Sequence, residues 1–269
     1  MNRQPVVAGQ FYPGSPTTLQ EQVRGFLDQA PAPDAEPALL AMVPHAGYVF
    51  SGAVCGKTLG AANLTPLIVL IGPNHTGRGH PLAVWPDGRW EAPGGGLPVD
   101  EPTAKAVIDA GAGFSADTAA HRQEHSLEVV VPFLQTAQPD ARLVPISAAL
   151  PDPGKLTDAG RALAAVLKAQ DQPFTLVVSS DMSHFVSESF AKKQDQKALD
   201  AIQNLDPAGL FNTVRDNDIS MCGVMPMTLG LAAAVELGAS KARLVDYATS
   251  ADATGDRARV VGYAGVIVQ

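Results

Sequence analysis

The chain has 269 residues, of which 46% are hydrophobic and 17% charged, enough apolar material for one large α/β core and too much for extended disorder. A formal charge of −8 argues against a broad nucleic-acid surface, which needs clustered Lys and Arg. Two cysteines, Cys55 and Cys222, exclude a disulfide framework, and the start at Met1–Pro5 lacks the apolar stretch of a signal peptide. These features predict a cytoplasmic protein with no membrane contact.

In chain order, short β-branched runs alternate with segments of helical period, the pattern of α/β layering. Strands are predicted at 39–43, 67–71, 82–85, 142–146, 175–179, 242–247 and 260–268. Helices are predicted at 16–28, 51–62, 101–110, 126–136, 155–168, 190–204, 207–215 and 224–237. The strand at 67–71 is apolar at every position, as suits a central strand covered on both faces. The last two strands are joined by a polar, Gly-containing stretch and could pair as a hairpin at a sheet edge. Gly94-Gly-Gly96 reads as a loop, and residues 30–37, with three prolines, as a stiff surface connection. A single domain over 1–269 is the expected organisation.

Three strands end in Gly/Pro/Ser-rich turns that carry ligand-type side chains. His45 follows the strand at 39–43 in Pro44-His-Ala-Gly-Tyr48, and His75 follows the strand at 67–71 in Gly72-Pro-Asn-His75. Asp181 and His184 follow the strand at 175–179 in Ser179-Ser-Asp-Met-Ser-His184. Open α/β sheets bind ligands outside the carboxyl ends of their strands, so parallel neighbours would bring these groups into one crevice. A lone loop histidine is ordinarily a surface or hydrogen-bonding residue; three at successive strand ends point to a site.

Cys222, in Ser220-Met-Cys-Gly223, precedes an apolar helical segment, where the helix dipole would favour thiolate; packing as a small hydrophobe is the alternative. Cys55 reads as packing. In Glu124-His-Ser-Leu-Glu128, His125 and Glu128 could reach the crevice from the side, or Glu124 and Glu128 could merely favour a helix N-terminus; His125 reads as functional and Glu128 as structural. His80 and His121 read as surface residues. No phosphate loop, dinucleotide fingerprint or nucleophile elbow occurs.

Taken together, these pieces resemble the Memo family. The matching segments are Val6-Val-Ala-Gly-Gln-Phe-Tyr-Pro13, Pro44-His-Ala-Gly-Tyr48 with Ser51-Gly52, Gly72-Pro-Asn-His75, Glu124-His-Ser-Leu-Glu128, Ser179-Ser-Asp-Met-Ser-His184 and Met221-Cys-Gly223. The resemblance implies a fold like that of class III extradiol dioxygenases, with a central mixed sheet flanked by helices on both faces. It further implies a metal site of His45, His75 and Cys222, with Asp181 and His184 beside it and His184 as acid/base. Fe(II) is the expected ion, with Cu or Zn as alternatives.

The expected chemistry is oxygen-dependent oxidation of a small organic molecule, with His184, Asp181 and His125 as catalytic groups. Phe11, Tyr12, Tyr48 and Phe50 would pack against the substrate. The resemblance also implies radical-SAM system proteins as possible partners, since microbial members often accompany them. The rival expectation is a non-catalytic scaffold that uses the metal or crevice to hold a peptide or anion.

Overall fold

A computed structural model describes residues 1–269. In chain order the elements are β1 (Asn2–Arg3), α1 (Pro16–Leu27), β2 (Leu40–Val43), α2 (Tyr48–Ala61), β3 (Leu67–Pro73), β4 (Leu82–Val84), β5 (Arg89–Ala92) and β6 (Gly95–Pro98). There follow α3 (Glu101–Asp109), β7 (Ser115–Ala116), α4 (Val131–Ala137), β8 (Arg142–Ala148), α5 (Pro153–Lys168), β9 (Phe174–Ser179) and β10 (His184–Val186). The chain ends with α6 (Glu188–Gln203), α7 (Pro207–Asp216), α8 (Val224–Glu236), β11 (Ala242–Thr249), α9 (Ala251–Thr254) and β12 (Val260–Val268). Several helices start where the sequence supplies both a cap and a proline. Asp100, Asp152 and Asp206 each accept a backbone N–H of the first turn, ahead of a proline at one of the first two helical positions.

The main sheet is mixed, with nine strands in the order β10-β12-β2-β9-β3-β8-β4-β7 and β11 paired to β12. Its centre, β2-β9-β3-β8, is wholly parallel. The strands β12 and β4 bound that centre with antiparallel pairings. All seven positions of β3 are buried; α8 packs on β2, β9, β3 and β8, and α2 on β2, β12 and β11. With α2 lie α1 and α4; with α8 lie α3, α5, α6 and α7. Close helix approaches use glycine: a Cβ on Gly160 of α5 would lie 2.6 Å from the Leu229 carbonyl oxygen of α8. One on Gly56 of α2 would meet the Phe26 backbone of α1. One apolar core of 65 buried residues joins the layers.

Three features differ from the sequence-based expectations. The helix expected at 126–136 begins at Val131, because Pro132 is tolerated only in a first turn and would break a ladder begun at Ser126. Residues 126–130 form turns instead. Gly95 and Gly96 are not a loop: they lie in β6, which completes a separate three-stranded sheet in the order β1-β5-β6. Gly96 has φ +136°, a conformation that only glycine adopts without strain, and a Cβ there would lie 2.3 Å from the Trp90 carbonyl oxygen. His121 is fully buried rather than on the surface, with both Trp85 and Trp90 edge-on to its ring. No helix is long and apolar enough to cross a membrane.

Candidate metal centre

Parallel pairing puts Val43 at the end of β2 opposite Ser179 at the end of β9, while β3 flanks β9 on its other side. The loops carrying His45, Asp181 and His75 therefore leave the sheet from three adjacent strands at the same edge. His125 enters from the turns that replace the expected helix start. The ligand-capable atoms of His45, His75 and His125 all lie within 4.8 Å of one another, so these three imidazoles could hold a metal ion. Cys222, on the loop before α8, brings its Sγ to 3.4 Å from His45 Nε2. Two ligands of one tetrahedral ion, with bonds of about 2.3 Å to sulfur and 2.0–2.1 Å to nitrogen, would stand roughly 3.5 Å apart, so this spacing fits a shared ion.

Hydrogen bonds fix which ring nitrogen each histidine presents. Ser179 Oγ donates to the Ser126 carbonyl at 2.9 Å, which commits its only hydrogen. Consequently His45 Nδ1–H must donate to Ser179 Oγ, 2.6 Å away, and the lone pair is left on Nε2, the nitrogen that faces Cys222. His75 Nδ1 lies 2.9 Å from Glu124 Oε1, so its Nδ1–H donates to the carboxylate and Nε2 is again the free donor atom. A carboxylate behind a histidine is the usual support of a metal-bound imidazole. Glu124 also accepts the backbone N–H groups of His75 and Ser126. Its role is therefore specific, not the general helix-end preference that the sequence suggested.

Electrostatics follow from burial. Desolvation, reinforced by the neighbouring His125 and His75, holds His45 well below the usual imidazole range and keeps it neutral. For His75, burial works downward, but the hydrogen bond and charge of Glu124 outweigh it and raise the value. Glu124 in turn is held at about 2: burial pushes it up, and the His75 hydrogen bond and charge more than reverse this. Burial lowers His125, against the pull of Glu124. The expected thiolate at Cys222 is not what the metal-free site favours. Burial, and then the charge of Asp181, push the thiol well above its ordinary range, overriding the dipole of α8. A metal ion would have to displace that proton.

Asp181 and His184 line the same edge. Asp181 Oδ1 accepts the His45 backbone N–H at 2.8 Å, and its own N–H lies 3.3 Å from Cys222 Sγ. Burial raises its carboxyl above the usual range. His184 is clamped by Ser220, whose Oγ accepts the His184 backbone N–H at 2.7 Å. The Ser220 carbonyl accepts from His184 Nδ1 at 2.8 Å, which leaves Nε2 as a proton acceptor. One loop, Ser220–Cys222, thus serves both histidines. Sequence reading missed Ser179, Ser220 and Glu124 as supports; the available signal was that each sits within a few residues of a candidate ligand.

Of the four aromatic candidates, all line one groove of about 450 Å³ beside Gly47. They do so unequally. Tyr12 and Tyr48 are 3% and 2% exposed, and their hydroxyls are spent on Glu128 and the Val129 carbonyl, so they form the groove floor as core residues. Phe50 is exposed, and Phe11 stands 4.9 Å from the His125 ring, which connects the groove to the imidazoles. Glu128 shapes this region. Its carboxylate pairs with buried Arg3 at 2.7 Å and accepts the N–H groups of Val6 and Val7, strapping the N-terminal segment that carries Phe11 across the site.

The rim beside His184 is strained. Phe185 has φ +59° in a bulged register of β10, a left-handed conformation that costs roughly 1–2 kcal/mol for a residue with a Cβ. Its ring carries the Arg259 guanidinium at 4.9 Å, an exposed contact that stabilises by about 0.5–1 kcal/mol and does not offset the strain.

Comparison with known proteins accords with this architecture. A family profile described as Memo-like protein matches residues 3–267. A MEMO1 family protein of Methanopyrus kandleri is 37% identical over 99% of both chains. Another, from Methanococcoides burtonii, is 38% identical over 99% of this chain and 100% of its own. The crystal structure of an uncharacterized protein from Escherichia coli K12 shares the fold, with a TM-score of 0.55 at 13% identity, over 85% of this chain and 98% of that one. The chain belongs to the Memo family.

Proposed function

We propose that this chain is a metal-dependent redox enzyme that oxidises a small organic molecule with oxygen, holding its ion through His45 Nε2, His75 Nε2 and the Cys222 sulfur. The observation that carries the reading is the pair of oriented imidazoles. Ser179 and Glu124 each take an Nδ1–H, so His45 and His75 both present Nε2, and that of His45 stands 3.4 Å from the Cys222 sulfur. Fe(II) is the first candidate, since two imidazoles and a soft donor leave positions open, with Cu or Zn as rivals. A redox ion there would supply electron exchange between oxygen and substrate.

The protein's own groups divide the remaining work. His184, with Nδ1–H tied to the Ser220 carbonyl, can accept a substrate hydroxyl proton at Nε2. Asp181 fixes the His45 loop through the backbone N–H. His125, neutral and beside Phe11, faces the groove from the imidazole side and would orient substrate. The apolar faces of Phe11 and Phe50 would hold a planar molecule and exclude water.

The test is anaerobic metal loading of wild type, His45→Ala, His75→Ala, Cys222→Ser, His125→Ala and His184→Ala. The first three variants are expected to lose the ion, whereas His184→Ala keeps it and loses oxygen consumption. Full metal retention in His45→Ala sinks the reading. Retention in Cys222→Ser with loss in His125→Ala reassigns the third ligand to His125.

A further inference from the structure

The rim residue Phe185 is 63% exposed and touches the candidate acid/base, its ring 5.8 Å from that of His184 at an interplanar angle of 66°. In a regular strand, consecutive side chains point to opposite faces, and rings at 184 and 185 could not meet. The bulge between His184 and Val186 and the positive φ at 185 bring both to one side. Arg259, immediately before β12, lays its guanidinium on the Phe185 ring. Arg257, two residues earlier, is neutralised by Glu188 at 3.2 Å, whereas Arg259 pairs with no carboxylate of the chain. In a chain of net charge −8, Arg259 is a cation without a carboxylate partner, seated on a ring that touches His184, and its N–H groups are free to meet an anionic ligand.

We propose that Arg259, held on the Phe185 platform, binds the carboxylate of the small organic substrate taken up at the metal centre, so that the substrate is an organic acid. This rests on the function proposed above for the site and adds its substrate class. A guanidinium presents a planar fork of N–H donors that matches a carboxylate with two parallel hydrogen bonds. Seating it on a ring favours one position of that fork before the ligand arrives. The strained backbone at Phe185 keeps the platform next to His184, so the acid group and the proton-accepting Nε2 address the same molecule.

The experiment compares two probes of one shape, 3,4-dihydroxyphenylacetate and its neutral primary amide. Calorimetric affinities are measured without oxygen on metal-free and Fe(II)-loaded protein. Wild type is expected to bind the acid about tenfold or more tighter than the amide in either metal state, as two charge-assisted hydrogen bonds require. Arg259→Gln should bring the ratio to about one while leaving amide affinity unchanged, and Arg259→Lys, a charge without the fork, should fall between. Phe185→Gly, which suits the backbone and removes the platform, should lower the ratio with metal content unaltered.

A wild-type protein that binds neither probe, or both equally, overturns the proposal, as does an Arg259→Gln variant with the wild-type ratio. Because the ratio is also read on metal-free protein, failure of the metal-site reading shows separately, as unchanged metal content in His45→Ala.

Discussion

Glu124→Gln isolates the support behind the metal centre. Both carboxylate oxygens are used: Oε1 accepts from His75 Nδ1 and from the Ser126 N–H, and Oε2 accepts the His75 backbone N–H. Glutamine has the same shape but one acceptor, so its amide NH2 must face a donor at one position or the other. One buried hydrogen bond is lost outright, and the negative charge that fixes His75 as the Nδ1–H tautomer disappears. Each loss is of the order of 1–3 kcal/mol at a buried position, and outer-shell changes of this kind typically lower metal affinity by about 10–100-fold. The assay is competition for Zn(II) or Fe(II) against a chelator of known affinity, with chemical denaturation of the metal-free proteins run in parallel to separate folding from ligation. Wild-type metal affinity in Glu124→Gln would refute the orientation argument.

Arg3→Met leaves the buried Glu128 carboxylate without its cation, and with both side chains only 1% exposed the loss should be about 3–5 kcal/mol in urea unfolding; a change below about 1 kcal/mol would show that the strap is not held by charge. His121 gives a pH signature. Burial, only partly offset by the Ala83 carbonyl, lowers its value from 6.5 to about 4, and its Nδ1 has no partner. Between those values the unfolded chain binds a proton that the folded chain does not, so stability is present above pH 6.5 and falls toward pH 4, by about 3 kcal/mol in all. His121→Leu should flatten that part of the urea-unfolding profile; an unchanged slope rejects it. Metal at about 100 times its Kd should stabilise the native state by about 2.7 kcal/mol, raising Tm by about 5–10 °C. A chelator should reverse this and His45→Ala should abolish it; an equal rise in His45→Ala would place the bound metal elsewhere.

Much of the frame was legible because it depends on local pattern. The unbroken apolar run of β3 marks a strand buried on both faces, and the Asp-Pro pairs at 152–153 and 206–207 mark helix starts whatever surrounds them. The boundary at Val131 was legible too, once Pro132 is given its weight. Other elements carry no local signal. Neither the two residues of β1 nor the glycines of β6 favour a strand by themselves; they become one because Arg89–Ala92 offers an unpaired edge to each.

For the site, the sequence by itself determined the cast: histidine, aspartate and cysteine in glycine- and serine-rich turns at strand ends. Only the tertiary structure decided their parts. Strand order places β9 between β2 and β3, so that residues 45, 75 and 181 become neighbours across chain separations no periodicity records. Hydrogen bonding to Ser179 and Glu124, not residue type, selects the nitrogen each imidazole presents. Burial beside Asp181 gives Cys222 a retained proton where its place before a helix suggested a thiolate. Burial likewise makes His121 a core residue and Tyr12 and Tyr48 the floor of a groove. A side chain's chemistry is written in its identity, but its protonation and direction depend on which distant atoms exclude water from it.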